Sequence, residues 1–318
     1  MTVALLQQPP RSRPMVDAGA MKERASRSRY ASFVIDPCED IALSCHERSD
    51  ALIAIAKGRA AHGSTEAVES AFRLLSEAAI RDRIPQDDPA VHEITEQLRI
   101  RRHPMSWIPL WPIDLEQNLR TWSLNRNKGG SIPAFEVRTS RPVRGRSTHL
   151  ALADRPINVE QHYRDLFDRL APTNFRAEAW LGTCDSPIDS DLAAANALQA
   201  RIPDKDAESK SVEPSGTALI SATDAVAAVL DPVVNGGAYN HGAGAAYGRL
   251  VGWRALASLV GAHDGLPFDQ VALAVRNSTW LWLPTTSHWF YQVSWDGFVG
   301  CIGPTRRSLA GLAWTDTD

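Results

Sequence analysis

The densest polar chemistry in the chain lies between residues 239 and 254, where Tyr239, Asn240, His241, Tyr247, Arg249 and Arg254 occur together. An imidazole titrates near neutral pH, so His241 is the candidate general acid or base. Asn240 or Tyr239 would orient a substrate, and Arg249 or Arg254 would neutralise an anionic group on it. Gly242, Gly244 and Tyr247 complete the expected ligand contacts. His288 and Asp296 are candidates to approach the same place from further along the chain. Trp282 and Trp289 would serve as aromatic walls that exclude water. The competing reading is a structural one: a histidine beside a glycine-rich turn is more often a cap or a surface residue.

No complete catalytic signature accompanies these residues. The chain has no nucleophile elbow, phosphate-cradling loop, His-Glu-x-x-His pair or paired cysteine ligands. His241, His263 and His288 are far apart in sequence, and no metal or cofactor is expected. Gly242, Gly244 and Gly248 imitate a dinucleotide fingerprint, but the preceding Ala222–Val234 reads as helix and not as the strand such a site needs.

The elements that must position the candidates are a loop and a helix. Gly236, Gly237, Gly242 and Gly244 favour a flexible loop. From Ala245 onward Leu250, Val251, Trp253, Leu256, Leu259 and Val260 recur at helical spacing. Asn240 is the expected N-cap and Gly261 the stop. Gly244, Gly248 and Gly252 form a stripe without side chains on that helix. Each mid-helix glycine costs about 1 kcal/mol relative to Ala, so something must press closely on the stripe. Another helix or strand is one occupant; a ligand at the positive N-terminal end is the other.

In chain order, residues 1–30 read as a disordered basic extension and 31–125 as a helical lobe. Helices are expected over Ile41–Lys57, from Ser64 through Ala79, and from Asp88-Pro89 through Leu98. Pro104–Pro112 is irregular and aromatic, with Trp107 and Trp111 filling a seam. Residues 126–202 mix strands (Ala134–Thr139, Phe175–Gly182) with helices (Asn158–Leu170, Leu192–Arg201). Arg138, Arg141, Arg144 and Arg146 form the strongest basic cluster, read first as a solvated loop. Residues 203–216 read as a linker or loop. Residues 217–318 carry a helix over Thr217–Leu230, the glycine-striped helix and an antiparallel meander. The meander takes Trp280–Leu283, Trp289–Trp295, Val299–Ile302 and Ser308–Trp314 as strands. The fold class is therefore α+β, a mainly helical N-terminal lobe followed by a glycine-striped helix packed on a C-terminal β-meander.

Gly236–Asn240, the Gly244–Trp253 helix, Trp289–Asp296 and the closing Thr315–Asp318 together resemble an uncharacterised family of actinobacterial proteins of unknown function. The likeness covers the last quarter to third of the chain. It implies a bacterial, cytosolic protein and no particular chemistry.

Bulk properties narrow the classes. The 318 residues are 44% hydrophobic, enough for a sizeable core, with a formal net charge of −3. Residues 1–150 carry 22 basic and 18 acidic side chains, residues 151–318 carry 12 and 19. The net charge gives no global nucleic-acid signature, and the asymmetry points to two lobes or to a basic surface on the first half. Cys38, Cys45, Cys184 and Cys301 are too scattered for a disulfide framework. No apolar run approaches the roughly 20 residues that span a bilayer. The expectation is a cytoplasmic protein with a small-molecule ligand and scope for a homo-oligomer; nucleic acid and membrane are not expected partners. As an enzyme it would use His241 for cofactor-independent acid–base chemistry. The alternative is a non-enzymatic binding or scaffold protein whose glycines and tryptophans serve only packing.

Overall fold

Helix α1 (Ser49–Ala60), α2 (Thr65–Ile80) and α3 (Pro89–Ile100) open the computed structural model, which describes residues 49–80, 84, 87–117, 140–143, 149–155, 157, 176–202, 216–235, 243–262, 265–291 and 296–315. All of these belong to one compact unit spanning Pro37–Asp318. The expected basic extension 1–30, the strand 134–139, the helix 158–170 and most of the linker 203–216 lie outside the described residues, as do Arg138, Arg144 and Arg146.

The first helices start where their sequence signals place them. Ser64 Oγ accepts the Ala67 amide at 3.1 Å, and Pro89 occupies the first position of α3, where an amide would have no partner. Short 3-10 turns at Pro104–Trp107 and Asp114–Glu116 carry the proline-rich segment. Trp107 donates its indole N–H to Leu266 O at 2.9 Å and meets Phe268 edge-on.

Helix α4 (Asp191–Gln199) follows strand β3 (Arg176–Thr183) and is capped by Ser190 Oγ, which accepts the Ala193 amide. Helix α5 (Ala222–Asn235) begins later than the expected Thr217. Residues Ala218–Ile220 form strand β4 instead, and Ser221 then caps the helix, accepting the Asp224 amide at 3.0 Å. Helix α6 (Gly244–Leu259) is the glycine-striped element, and α7 (Phe268–Asn277) completes the helices. The stop of α6 is as expected: Gly261 has φ +72°, its amide bonds Ser258 O, and the Ala262 amide reaches Ala257 O at 2.8 Å. Its start is not. Ala243, not Asn240, is the N-cap residue, and Gly244 takes φ +75°. The carboxylate of buried Glu77 on α2 accepts the Ala245 amide in place of a local cap.

The sheet has seven strands, all antiparallel, in the order β1-β4-β5-β6-β7-β3-β2. They are β1 (Ser140–Pro142), β2 (Ala153–Arg155), β3 (Arg176–Thr183), β4, β5 (Thr279–Trp282), β6 (Gly297–Ile302) and β7 (Ser308–Thr315). The β5-β6-β7 meander is therefore present, but Trp289–Tyr291, the described part of the strand expected over Trp289–Trp295, is not strand. Ser287–Phe290 turns, with the Phe290 amide on Ser287 O at 3.1 Å. Trp289 and Phe290 are adjacent yet both buried in one apolar cluster, which strand alternation forbids. Residues 292–295 lie outside the described residues.

One sheet face meets α5 and α6. The other carries α4 and the 283–290 segment over Leu281, Phe298, Leu309 and Ala313. Gly300 and Gly311 are paired across β6 and β7, and a Cβ on either would meet Leu198 of α4 at 2.6 or 2.8 Å. The glycine pair is thus a notch that seats α4. The stripe on α6 is occupied in the same way. A Cβ on Gly248 would lie 2.7 Å from Val234 Cα and 2.8 Å from Val233 O, and one on Gly252 would lie 2.7 Å from Leu230. The neighbour is the backbone and aliphatic side chains of α5, not aromatic rings and not a ligand. No helix among the described residues is long and apolar enough to cross a membrane.

Candidate functional site

Tyr239, Asn240, His241 and Gly242 lie outside the described residues. Of the other candidates, Gly244 and Tyr247 are buried in α6, and Arg254 is half-buried. Arg249 is wholly buried and its five N–H groups are all used. Nε and one Nη donate to Glu116 at 2.7 and 2.9 Å. The remaining donors reach Pro109 O and Leu110 O at 3.0 Å and Trp111 O at 3.2 Å. Glu116 also accepts from Trp253 Nε1 and the Ile113 amide, both at 2.9 Å. The anion that Arg249 neutralises is therefore an internal carboxylate, and no donor remains for a ligand. Charges are buried at this depth only when paired and hydrogen-bonded.

Trp282 and Trp289 do not share a wall. Trp282 sits beside Val299 in the register of β5 and β6, edge-on to Trp314 at 6.3 Å. Trp289 belongs to the cluster with Leu281 on the opposite face and donates to Glu178 Oε1 at 3.2 Å. His288 beside it is exposed. Asp296 accepts the hydroxyl of buried Thr315, whose oxygen takes the Tyr291 amide at 3.1 Å. The Arg176 guanidinium covers the Tyr291 ring at 4.1 Å. Trp289 and Asp296 thus contribute to a polar seam closing one end of the sheet.

A hollow formed by described residues lies elsewhere. A cavity of about 900 Å³ opens between the 149–155 segment, the end of β3 and α4. Its walls include Leu150, Leu152 and Ala197; His149, Arg155, Cys184, Asp185 and Arg201 supply polar groups. Three contacts set its shape. Ala153–Arg155 pairs with Leu181–Thr183, fixing the outer wall. Arg201, just past α4, forks onto Asp154 at 2.9 and 2.6 Å and ties helix to strand. Those hydrogen bonds hold the Asp154 carboxyl below the usual carboxylate range and raise Arg201. Arg306, with φ +57°, is the third: its guanidinium holds Ile188 O at 2.6 Å and Asp191 at 2.7 Å, anchoring the loop between β3 and α4.

The two described cysteines differ in kind. Cys184 is half-buried on the cavity wall, its thiol 3.6 Å from Arg307 O. Cys301 is wholly buried, and loss of solvent pushes its thiol up to about 12. Among the described residues no group of three His, Cys, Asp or Glu side chains could hold a metal ion. None of the residues expected from sequence lines the cavity. Its outer wall is a three-residue strand with every residue exposed, a pattern without apolar periodicity.

Neither a curated protein nor a solved structure matches the chain. A family model described as "Family of unknown function (DUF6183)" matches residues 39–318, well beyond the C-terminal part in which the resemblance was visible. The chain therefore belongs to that family of unknown function.

Proposed function

We propose that this protein binds a small polar molecule in the cavity between β2 and α4. The observation that carries the reading is the cavity itself. At about 900 Å³ it falls within the size of small-molecule sites, and it sets aliphatic walls beside a few charged groups. His149 on its wall supplies an imidazole, a side chain that can give or take a proton. The enzymatic form of the proposal is cofactor-independent acid–base chemistry on that molecule. The non-enzymatic form shares the binding step and lacks turnover. The bacterial, cytoplasmic setting implied by the resemblance belongs to the same proposal.

A second reading keeps His241 as acid or base, with Tyr239 and Asn240 orienting the substrate. What supports it is the polar core where α6 begins: Glu77 takes the Ala245 amide, and the adjacent Ser76 hydroxyl is fully buried with no partner among the described residues.

The test fills the cavity. Ala197→Trp places a large side chain in the hollow from a half-buried position. In a screen of small metabolites by ligand-observed NMR, binding is expected with the natural chain and lost with Ala197→Trp, while the melting temperature stays nearly unchanged. Ligands that bind both proteins equally would refute the cavity as the site. Loss of turnover in His241→Ala but not His149→Ala would favour the second reading.

A further inference from the structure

The charges lining the cavity are unequally committed, and this bears on what it holds. Arg201 and Asp154 neutralise one another in a two-pronged pair. Arg155, by contrast, makes only a long hydrogen bond among the described residues, 3.5 Å from Nε to Thr183 Oγ1. Asp185 is exposed and has no ion pair among the described residues. Among the described residues the cavity thus presents one uncommitted guanidinium, Arg155, and one uncommitted carboxylate, Asp185.

The sheet register separates them. Arg155 lies opposite Leu181, and Asp185 follows Leu181 by four positions on the same chain. β3 ends at Thr183 and Asp185 lies in a bend, so at about 3.3 Å per residue Leu181 and Asp185 are at most about 13 Å apart. Arg155 and Asp185 both line the cavity, so the two charges bracket a molecule several bonds long. A simple anion would leave Asp185 facing it, and a simple cation would leave Arg155 facing it; each unmatched charge lowers affinity. Aliphatic walls at Leu150, Leu152 and Ala197 suit a short apolar stretch between the ends.

We infer that the ligand is an elongated zwitterion of the short-peptide class, its carboxylate at Arg155 and its ammonium at Asp185. An extended peptide spans about 3.3–3.6 Å per residue, so two to four residues match the separation. The inference rests on the cavity being a small-molecule site.

Cys184 on the cavity wall is the reporter. Its alkylation by iodoacetamide is followed on the full chain, residue by residue, by peptide mass spectrometry. The probes are tri-alanine with free ends, N-acetyl-tri-alanine and tri-alanine amide. A peptide at about ten times its Kd leaves about a tenth of sites open, so tri-alanine is expected to slow Cys184 alkylation about tenfold. Either capped form should protect far less, and Arg155→Ala or Asp185→Asn should abolish protection by the free peptide. Both positions are exposed, and an unchanged melting temperature checks that the variants remain folded. Absence of protection by tri-alanine would overturn the inference. Equal protection by the capped peptides would overturn the charge pairing while leaving the cavity a binding site, whereas Ala197→Trp decides the cavity itself.

Discussion

Gly248→Ala pits helix propensity against packing. In an open helix the change gains about 1 kcal/mol. At Gly248 the new methyl would lie 2.7 Å from Val234 Cα and 2.8 Å from Val233 O, where ordinary contact begins at 3.4 Å. Both are backbone atoms of α5, so no rotamer change relieves the overlap. The helices must separate by several tenths of an ångström, and the Ala243 amide bond to Val233 O, 2.9 Å long, is stretched with them. Overpacking of this kind costs about 1–3 kcal/mol, and the lost helix contact adds to it. A net loss of about 2 kcal/mol is expected, lowering Tm by about 4–8 °C in a domain of this size. Two other glycines calibrate the result. Gly252→Ala meets the Leu230 side chain at 2.7 Å, which can repack, so the loss should be smaller, about 1 kcal/mol. Gly58 in α1 has nothing within 4 Å, and Gly58→Ala should gain up to about 1 kcal/mol. Calorimetry or urea unfolding should rank them Gly58→Ala, natural chain, Gly252→Ala, Gly248→Ala in falling stability. A Gly248→Ala protein as stable as the natural chain would refute the close approach of α5 and α6.

Glu116→Ala strands the buried Arg249 charge and should cost about 3–5 kcal/mol, while Glu116→Leu with Arg249→Met should cost clearly less, as read by urea unfolding. Ser76→Ala removes a fully buried hydroxyl that has no partner among the described residues and should raise stability by about 1 kcal/mol; a loss of stability would show that the hydroxyl is satisfied. The Cys301 thiol is raised in the folded state from 9.0 to about 12, so the folded chain holds its proton more tightly than the unfolded one. That stability is complete below about pH 9 and is lost as pH rises toward about 12; Cys301→Ala should flatten the alkaline limb of an unfolding-versus-pH curve.

Where apolar periodicity was strong, the sequence anticipated the elements: α2, α3, α4, β3, three of the meander strands and the close covering of the glycine stripe. Local rules failed where a distant partner decided the outcome. Asn240 looked like a cap because nothing nearby in sequence announces that Glu77, on another helix, takes the Ala245 amide in the first turn of α6. Arg249 looked like an anion site because its partner, Glu116, lies 133 positions away. The alternation at Trp289–Trp295 suggested a strand, although burial of both Trp289 and Phe290 requires a turn. A serine three residues ahead of Asp224 did mark the true start of α5, and heeding it would have freed Ala218–Ile220 to be a strand. The cavity left no trace because depressions are made by what stands beside a residue, which spacing along one chain does not encode.

The internal guanidinium also sets a rule for how relatives can vary. Lysine has three donors radiating from one point and cannot reach a carboxylate and three separate carbonyls in a plane. Position 249 therefore tolerates arginine or a wholesale change that also removes the acid at 116 and rebuilds the irregular backbone at 109–111. Family members should show these sites drifting as a block, with few intermediates bearing only half of the exchange.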